Sequence, residues 1–304
     1  MKLSYSEATA RERIRRVTDA DSFREILPPS DRMVSPHLAE LGVPAAMDDG
    51  VIIGSALLNG KKILVAAQEG GFLGGGVGEV HGATLTGLFK LADQLKPVCV
   101  LVLAESGGVR LHEANAGLIA VSEVMRALLT ARGNGVPFIF LIGGSNGCFG
   151  GMGLVARCAD RVIMSDIGRL AMSGPEVIES SHGVEEFDSR DKALVWRTTG
   201  GKHRFLMGDC DALVEDEAAA FRQASIQAVE ELEREKQPFD LEFLEAEHAM
   251  LAERLTLFGD AKDAREIWSG AGVPDDFDIA SAEAVDLQQF AGIAGRMPGK
   301  GKKP

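Results

Sequence analysis

The sequence predicts an α/β fold with a mostly parallel sheet, and three observations lead to it. Residues 98–104 and 137–142 are apolar runs without alternation, which is typical of strands buried on both faces. Each run leads into a glycine-rich turn. Between them, residues 114–132 carry apolar positions at helical spacing. A strand, helix, strand succession of this kind predicts parallel pairing with right-handed crossovers.

The other elements follow from local patterns. Asn59-Gly60 is the strongest short turn signal and predicts a hairpin of residues 51–58 and 61–68. No internal repeat is visible. Periodicity and apolar runs further predict an amphipathic helix within 6–26, helices at 80–95, from Gly150, at 216–237 and at 241–256, a short strand at 161–164 and another at 170–174.

The change of composition along the chain predicts three parts. Residues 1–235 hold the apolar runs and glycine turns and form the main domain. Residues 236–296 are charged and helix-periodic and form a helical extension. Residues 297–304 are a basic Gly/Lys/Pro tail, for which we expect disorder.

Composition excludes several classes of function. The formal net charge is −13, which disfavours binding to nucleic acid or to an anionic membrane. The apolar runs are far shorter than the roughly 20 residues of a membrane span, and the polar N-terminus does not resemble a signal peptide. The four cysteines lack metal-ligand spacing. We therefore expect a cytoplasmic protein without a metal site.

The glycine turns are the candidate functional feature. One contains Gly107, Gly108 and Val109, and the other contains Gly150 and Gly151. Glycine permits close backbone approach to a ligand, and helix N-termini present free N–H groups. Two such turns can direct backbone donors at one developing negative charge, as in an oxyanion hole. The alternative is that the glycines only permit close packing of helices on strands.

A serine hydrolase is a second alternative. Ser145 lies in a Gly-x-Ser-x-Gly segment after a buried strand, as a nucleophile elbow does. Asp160 or Asp166, followed by His182 or His203, would complete a triad in the usual chain order. The glycines that interrupt the segment after the serine weigh against this interpretation, because the elbow needs an immediate helix.

Several motifs resemble those of acyl-CoA carboxyltransferase subunits. The resemblance runs in order from about residue 8 to residue 220. It rests on ARERI at residues 10–14 followed by Ser22-Phe23, ESGGVRLHE at 105–113, CFGG at 148–151, GPEVI at 174–178, and Gly200-Gly201 with His203, Gly208 and Asp216.

Within this superfamily the chain most resembles the β subunits of biotin-independent malonate decarboxylases. The SGGVRLHEANAGL segment and the single-domain length favour them, and the four-cysteine zinc ribbon of bacterial acetyl-CoA carboxylase β subunits is missing. The resemblance implies a crotonase-type spiral of ββα units. It also implies a homologous γ subunit, an acyl carrier protein and an acyl-transferase subunit as partners. The substrate would be a malonyl thioester on the prosthetic group of the carrier protein, with no cofactor bound by this chain.

The resemblance also implies roles for individual residues. Backbone donors come from the Gly108/Val109 and Gly150/Gly151 turns, where Val109 replaces the usual alanine and narrows the pocket. The expected substrate-binding residues are Gly107, Arg110, His81 and His203. For Arg110 a structural pair with Glu113 is the alternative role, and for both histidines it is a structural hydrogen bond.

Two further alternatives remain open at this stage. The chain could be the carboxyltransferase half of a biotin-dependent acyl-CoA carboxylase, with the biotin site in its partner. It could also be a non-catalytic scaffold subunit, although a scaffold does not need close backbone approach at two turns. An acidic carrier protein would require a basic docking patch, for which Lys202 and Arg204 are candidates.

Overall fold

The computed structural model describes residues 3–31, 33–235 and 239–293. A seven-stranded sheet forms the centre, and its strands lie in the same order as along the chain. The first three strands pair antiparallel and the remaining pairs are parallel. The strands are β1 (Arg24–Ile26), β2 (Val51–Leu58), β3 (Lys61–Gln68), β4 (Val100–Ala104), β5 (Phe138–Ile142), β6 (Arg161–Ser165) and β7 (Ala212–Val214).

Eleven α-helices occur in the part of the chain that the structure describes. They are α1 (Ala10–Val17), α2 (Glu79–Leu95), α3 (Asn115–Gly133), α4 (Gly150–Arg157), α5 (Pro175–His182), α6 (Lys192–Thr199), α7 (Gly201–Leu206), α8 (Ala218–Arg234), α9 (Leu241–Phe258), α10 (Ala264–Gly270) and α11 (Ala284–Leu287). None of the described helices is long and apolar enough to cross a membrane.

Alternate residues of the parallel strands face two different hydrophobic cores. Val100 and Val102 of β4 belong to a core shared with α2 and α3. Leu101 and Leu103 of the same strand belong to a second core shared with α1 and α8. Both faces of the sheet are therefore covered by helices, which explains why the parallel strands read as continuous apolar runs.

Single β-bridges join the segments that follow the strands, and together they form a second layer of pairing, here called the second tier. Parallel bridges join Val77 to Val109, and Cys148 to both Ser106 and Leu170. From β3 to β6 the chain thus passes from a strand to a bridge segment and then to a helix, as in the predicted spiral of ββα units. The glycine turns lie in this tier, at the carboxyl ends of β4 and β5.

The predicted hairpin is confirmed. β2 and β3 pair in full register from Val51–Gln68 to Leu58–Lys61. Asn59 and Gly60 both have positive φ, at 51° and 76°, as a two-residue hairpin turn requires. The carboxylate of Asp19 accepts the N–H groups of both turn residues, at 2.9 and 2.8 Å.

Two predicted details differ from the structure. Residues 170–174 were expected to form a strand, but only Leu170 makes a bridge, because its neighbours lead directly into α5 at Pro175. The short strand β7 was not predicted, since Ala212–Val214 is too brief to show a pattern.

The helical extension packs against the main domain. Trp268, Val273, Ile279 and Leu287 belong to the same hydrophobic core as α2 and α3. The predicted basic tail, residues 297–304, lies outside the described residues.

Replacing Leu101 by alanine should lower the free energy of unfolding by about 2–5 kcal/mol, because this fully buried side chain fills the second core. Leu255→Ala is the matched control, since Leu255 is 72% exposed on α9, and it should change stability by less than about 0.5 kcal/mol. Urea unfolding followed by circular dichroism measures both. Equal losses would contradict the assignment of Leu101 to the core.

Candidate active site

The two glycine turns lie side by side. The register of β4 and β5 places Ala104 opposite Ile142, so both strands end at the same level. Beyond them, the Ser106 N–H donates to the Gly147 carbonyl at 2.8 Å, and the Phe149 N–H donates to the Ser106 carbonyl at 2.8 Å. These bonds continue the parallel pairing into the turns.

Close approach explains why glycine occupies position 150. A Cβ atom built there would lie 2.9 Å from the Cα of Gly108 and 3.9 Å from the nitrogen of Val109. Gly150 also has a φ of +58° and Gly108 one of +122°, conformations that side chains disfavour. The structure therefore brings together the two turns that the sequence singled out.

Each turn contributes one N–H group without a protein acceptor among the described residues. The Gly108 N–H donates to the Ser106 hydroxyl at 3.2 Å, and the Gly150 N–H donates to the Met172 carbonyl at 2.9 Å. The N–H groups of Val109 and Gly151 have no such acceptor in the described part of the chain. Within each predicted pair, these are the two donors that remain for a ligand.

In the second turn, glycine at position 151 serves both close helix packing and the exposure of an N–H donor. A Cβ atom at Gly151 would lie 2.4 Å from Cγ1 of Val121 on α3. Close helix packing thus also requires glycine there, as the packing alternative supposes. Gly151 is nevertheless partly exposed at the first turn of α4, where its N–H benefits from the helix dipole. The side chain of Val109 is half-buried and packs against the main core.

A third loop, between β3 and α2, borders the site. The exposed Gly107 donates its N–H to the Gly74 carbonyl at 2.8 Å. A Cβ atom at Gly75 would lie 1.9 Å from the Glu105 carbonyl oxygen. Val77 pairs with Val109, so the loop that precedes α2 forms one edge of the first turn.

Arg110 was predicted to contact substrate, and the structure supports its alternative role instead. Its guanidinium is buried and donates to Glu113 at 2.7 Å, to both carboxylate oxygens of Asp49 at 3.0 Å, and to the Gly76 carbonyl at 3.2 Å. These bonds leave it no access to a substrate. The residue joins the loop before α2 to the segment that leads into α3.

The pKa values of the two carboxylates that bind Arg110 are shifted in opposite directions. Burial raises the pKa of Asp49 despite the nearby guanidinium. Burial also acts to raise the pKa of Glu113, but hydrogen bonds from the Glu79 N–H and Arg110 outweigh it and lower that pKa. Asp49 therefore depends on Arg110 to remain ionised in its dry environment.

His81 is also structural, which corrects its predicted role as a substrate-binding residue. It is fully buried, with Nδ1 3.1 Å from the Asp49 carbonyl oxygen and Nε2 3.0 Å from Nε2 of Gln68. Burial lowers its pKa to about 3. Both ring nitrogens are occupied, so His81 has no atom free to contact a substrate.

His203 contacts the C-terminal extension. Its Nδ1 accepts a hydrogen bond from the Trp268 indole at 3.1 Å, and it is 6% exposed. None of its hydrogen bonds among the described residues goes to either glycine turn. Likewise, Arg204 is bound to Asp209 at 3.1 Å, which compromises the predicted basic patch with Lys202.

Glu105 was missed as a site residue. It directly follows β4, its side chain is buried, and it forms an ion pair with the buried Arg13 of α1. Its Oε1 accepts the Asn146 N–H at 3.0 Å, and its own N–H donates to Gln68 at 3.3 Å. The sequence signal that could have identified Glu105 is a single carboxylate directly after an apolar strand. Glu105 supports the loop that leads to the second glycine turn.

The serine-hydrolase alternative finds no triad in the described residues. The Ser145 hydroxyl donates to Glu105 at 3.3 Å. Asp160 forms an ion pair with Arg132 at 2.8 Å, and His182 contacts the carbonyl of Ile178 in its own helix. His203 is hydrogen-bonded to Trp268, so neither candidate histidine is bonded to Ser145.

Neither a metal nor a thiol nucleophile is indicated. The described residues contain no group of three or more His, Cys, Asp or Glu side chains that could hold a metal ion. Cys148 lies beside the second turn, but burial raises the pKa of its thiol to about 12. The thiol therefore stays protonated at neutral pH and is a poor nucleophile. The chemistry available at these turns is that of backbone donors.

His81 should make the protein sensitive to acid. Its pKa of about 3 lies below the 6.5 of an unfolded histidine, so the unfolded chain binds the extra proton between these values. Stability should therefore fall as the pH drops below about 6.5. His81→Gln should reduce this slope by up to about 1.4 kcal/mol per pH unit, measured by urea unfolding at pH 4 to 7. The exposed His182→Gln is the control and should keep the wild-type slope, and an unchanged slope in His81→Gln would refute the assignment.

A family model described as carboxyl transferase domain matches residues 2–244. The malonyl-S-ACP:biotin-protein carboxyltransferase MADC of Malonomonas rubra is 42% identical over 287 residues, which cover 88% of this chain and 89% of that protein. The acetyl-coenzyme A carboxylase carboxyl transferase subunit beta of Fusobacterium nucleatum is 30% identical, over 58% of this chain and 60% of that protein.

Among solved structures, the chain is similar to a subunit of a Pseudomonas malonate decarboxylase hetero-tetramer in complex with malonate. The TM-score is 0.77 at 36% sequence identity, over 86% of this chain and 95% of that one. The resemblance predicted from the motifs is thereby confirmed. The chain belongs to the carboxyl transferase domain family, and within it resembles the subunits of malonate decarboxylases.

Proposed function

We propose that this chain is the subunit of a malonate decarboxylase that cleaves the carboxyl group from a malonyl thioester carried on an acyl carrier protein. The observation that carries the proposal is the pair of adjacent N–H groups of Val109 and Gly151, which have no acceptor among the described residues. The products of the proposed reaction are the acetyl thioester and CO₂, and the carboxyl group is not transferred to biotin.

The reaction needs the kind of stabilisation that these donors offer. When the bond between the carboxyl carbon and the α-carbon breaks, CO₂ leaves and the electron pair forms an enolate. Its negative charge resides largely on the thioester oxygen, and a proton then adds to the α-carbon. Prearranged N–H donors stabilise such an oxyanion without reorganising, and each is worth about 3 kcal/mol of barrier.

The comparisons support the substrate class. The Malonomonas protein is named for a malonyl group on an acyl carrier protein, and the Pseudomonas complex was solved with malonate. The similarity to this chain covers 89% of the Malonomonas protein and 95% of the Pseudomonas subunit. The malonyl group is thus the common chemistry from which the proposal starts.

An exposed apolar surface surrounds the turns and supports a partner subunit. Met172 accepts the Gly150 N–H and is 67% exposed, and Leu111 directly follows Arg110 and is 84% exposed. Ile119, Leu154 and Val177 extend this surface, at 64%, 45% and 57% exposure. Exposed apolar patches of this kind mark protein interfaces. We assign the surface to the homologous γ subunit, and we expect the carrier protein and the acyl-transferase subunit to belong to the same cytoplasmic complex.

A second candidate is transfer of the carboxyl group to a biotin protein. The name of the Malonomonas relative, a malonyl-S-ACP:biotin-protein carboxyltransferase, favours it. Both candidates generate the same enolate at the same donors and differ only in the acceptor of the carboxyl group. The experiment therefore separates them by their sensitivity to avidin.

Two double variants isolate the Gly151 N–H. Because any Cβ at this position meets Val121, each carries Val121→Ala to make room. Gly151→Ala keeps the N–H, while Gly151→Pro removes it at a first-turn position that tolerates proline. The proline variant should be about 10²–10³ times slower in kcat than the alanine variant. The assay is release of ¹⁴CO₂ from malonyl carrier protein by the co-purified complex.

Four outcomes decide between the interpretations. Release that resists avidin, falls with the proline variant and persists in Ser145→Ala supports the proposal. Release that requires a biotin protein and is blocked by avidin favours the second candidate. Equal rates in the two double variants would contradict a role for the Gly151 donor, and loss of activity in Ser145→Ala would point to a serine nucleophile.

Gly150→Ala should lower kcat at least tenfold, because its Cβ would lie 2.9 Å from Gly108 and would force the two turns apart. Gly60→Ala is the matched control. Its φ of +76° imposes the same kind of backbone strain, about 1–2 kcal/mol, but its Cβ meets nothing within 4 Å. Comparing kcat and thermal stability for both variants separates strain from contact. Equal activity losses would show that the close approach of the turns is irrelevant.

A further inference from the structure

A cavity in the described part of the chain is lined by none of the glycine-turn residues. It measures about 760 Å³ and is lined by α6, α7, α10 and the segment after α10. Trp196, Trp268 and Phe277 contribute aromatic walls. This volume falls within the range of small-molecule sites, about 300–1,000 Å³. The site proposed for malonyl chemistry does not use any of these residues.

His203 lines this cavity in a defined tautomer. Its Nδ1 accepts from the Trp268 indole, so the ring hydrogen of the neutral form is on Nε2. Burial lowers the pKa of His203 to about 3, which keeps the ring neutral at pH 7. Within the described ranges, no protein group accepts from Nε2. His203 thus offers the cavity one N–H donor.

Arg197, on the neighbouring helix, also lines the cavity. Its terminal nitrogen binds Asp263 at 3.2 Å, and this contact orients the guanidinium. Its Nε is buried and has no hydrogen-bond partner among the described residues. The Nε atoms of Arg110 and Arg204 are also buried without a partner and do not line the cavity, so this feature of Arg197 does not by itself indicate a ligand. Because polar groups usually find partners, the Nε2–H of His203 at the cavity wall indicates a ligand with an acceptor atom.

The charges around the cavity limit the class of ligand. Three cations (Arg197, Lys202 and Arg265) are accompanied by four carboxylates (Asp166, Asp275, Asp276 and Asp278). Lys202 is also bound to the Ala280 carbonyl at 2.7 Å. This excess of carboxylates disfavours a polyphosphate or nucleotide. A small aromatic molecule with one polar end suits the walls and the donor better.

We propose that this cavity binds an aromatic ligand carrying a carbonyl or carboxylate oxygen. The ring packs against Trp196, Trp268 and Phe277, and the oxygen accepts a hydrogen bond from Nε2 of His203. The site is independent of the proposed decarboxylation, since it uses none of the residues at the glycine turns. The helical extension contributes Trp268 and Phe277, which gives this part of the chain a binding role.

Tryptophan emission tests the site directly, because the two tryptophans of the chain both line the cavity. The full-length chain, co-purified with its partner subunits, is titrated with three probes of one skeleton: 3-phenylpropanoate, 3-phenylpropanamide and 3-phenylpropylammonium. The complex prepared without this chain gives the background emission to subtract. The probes do not absorb at an excitation wavelength of 295 nm. The acid or the amide should cause a saturable change in emission, while the ammonium, which cannot accept a hydrogen bond, should not.

Two variants and a control locate the binding. His203→Phe should weaken affinity about tenfold through loss of the donor, whereas the exposed His182→Phe should bind as the wild type does. Ala193→Phe, which fills the cavity from its exposed rim, should also abolish binding and keeps the test valid if His203→Phe fails to fold. The proposal is overturned if neither acceptor probe binds, if the ammonium binds equally well, or if a folded variant binds with wild-type affinity. Because the readout is emission, failure here leaves the decarboxylase proposal untouched.

Discussion

The close approach of two backbone turns is the constraint on which the site depends. β4 and β5 end level with each other, and the bridge between Ser106 and Cys148 extends their pairing past the sheet. Gly108 and Gly150 then approach so closely that a Cβ atom at Gly150 would lie 2.9 Å from the Cα of Gly108. The N–H groups of Val109 and Gly151 are consequently held by the fold itself and need no flexible side chain to orient them.

A buried chain of polar groups supports these turns from below. It runs from the Arg13–Glu105 pair through Gln68 and His81 to Asp49, and from there to Arg110 and Glu113. In the protein interior, loss of one charged member of such a network would leave its partner's charge uncompensated. This arrangement explains why the arginine and the histidine that resembled substrate ligands serve the architecture instead.

The C-terminal extension has two physical roles in this structure. Its apolar residues complete the main hydrophobic core, and its indole at Trp268 fixes the tautomer of His203. This contact joins residues that are 65 positions apart in the chain, so no local sequence pattern indicates it. An appended helical segment of this kind can thus shape a cavity that the main domain alone does not enclose.

The amino-acid sequence by itself determined the parallel α/β class, the hairpin at Asn59-Gly60 and the two glycine turns, because each depends on local periodicity or on glycine at a strand end. It also indicated the family, because motifs that resemble those of the family occur in order along the chain. Only the tertiary structure decided which N–H groups are free, since Ser106 and Met172 satisfy the other two through contacts that no local pattern encodes. The roles of Arg110, His81 and Glu105 were likewise decided by burial and by partners distant in sequence, and these set whether a polar side chain serves a ligand or the fold.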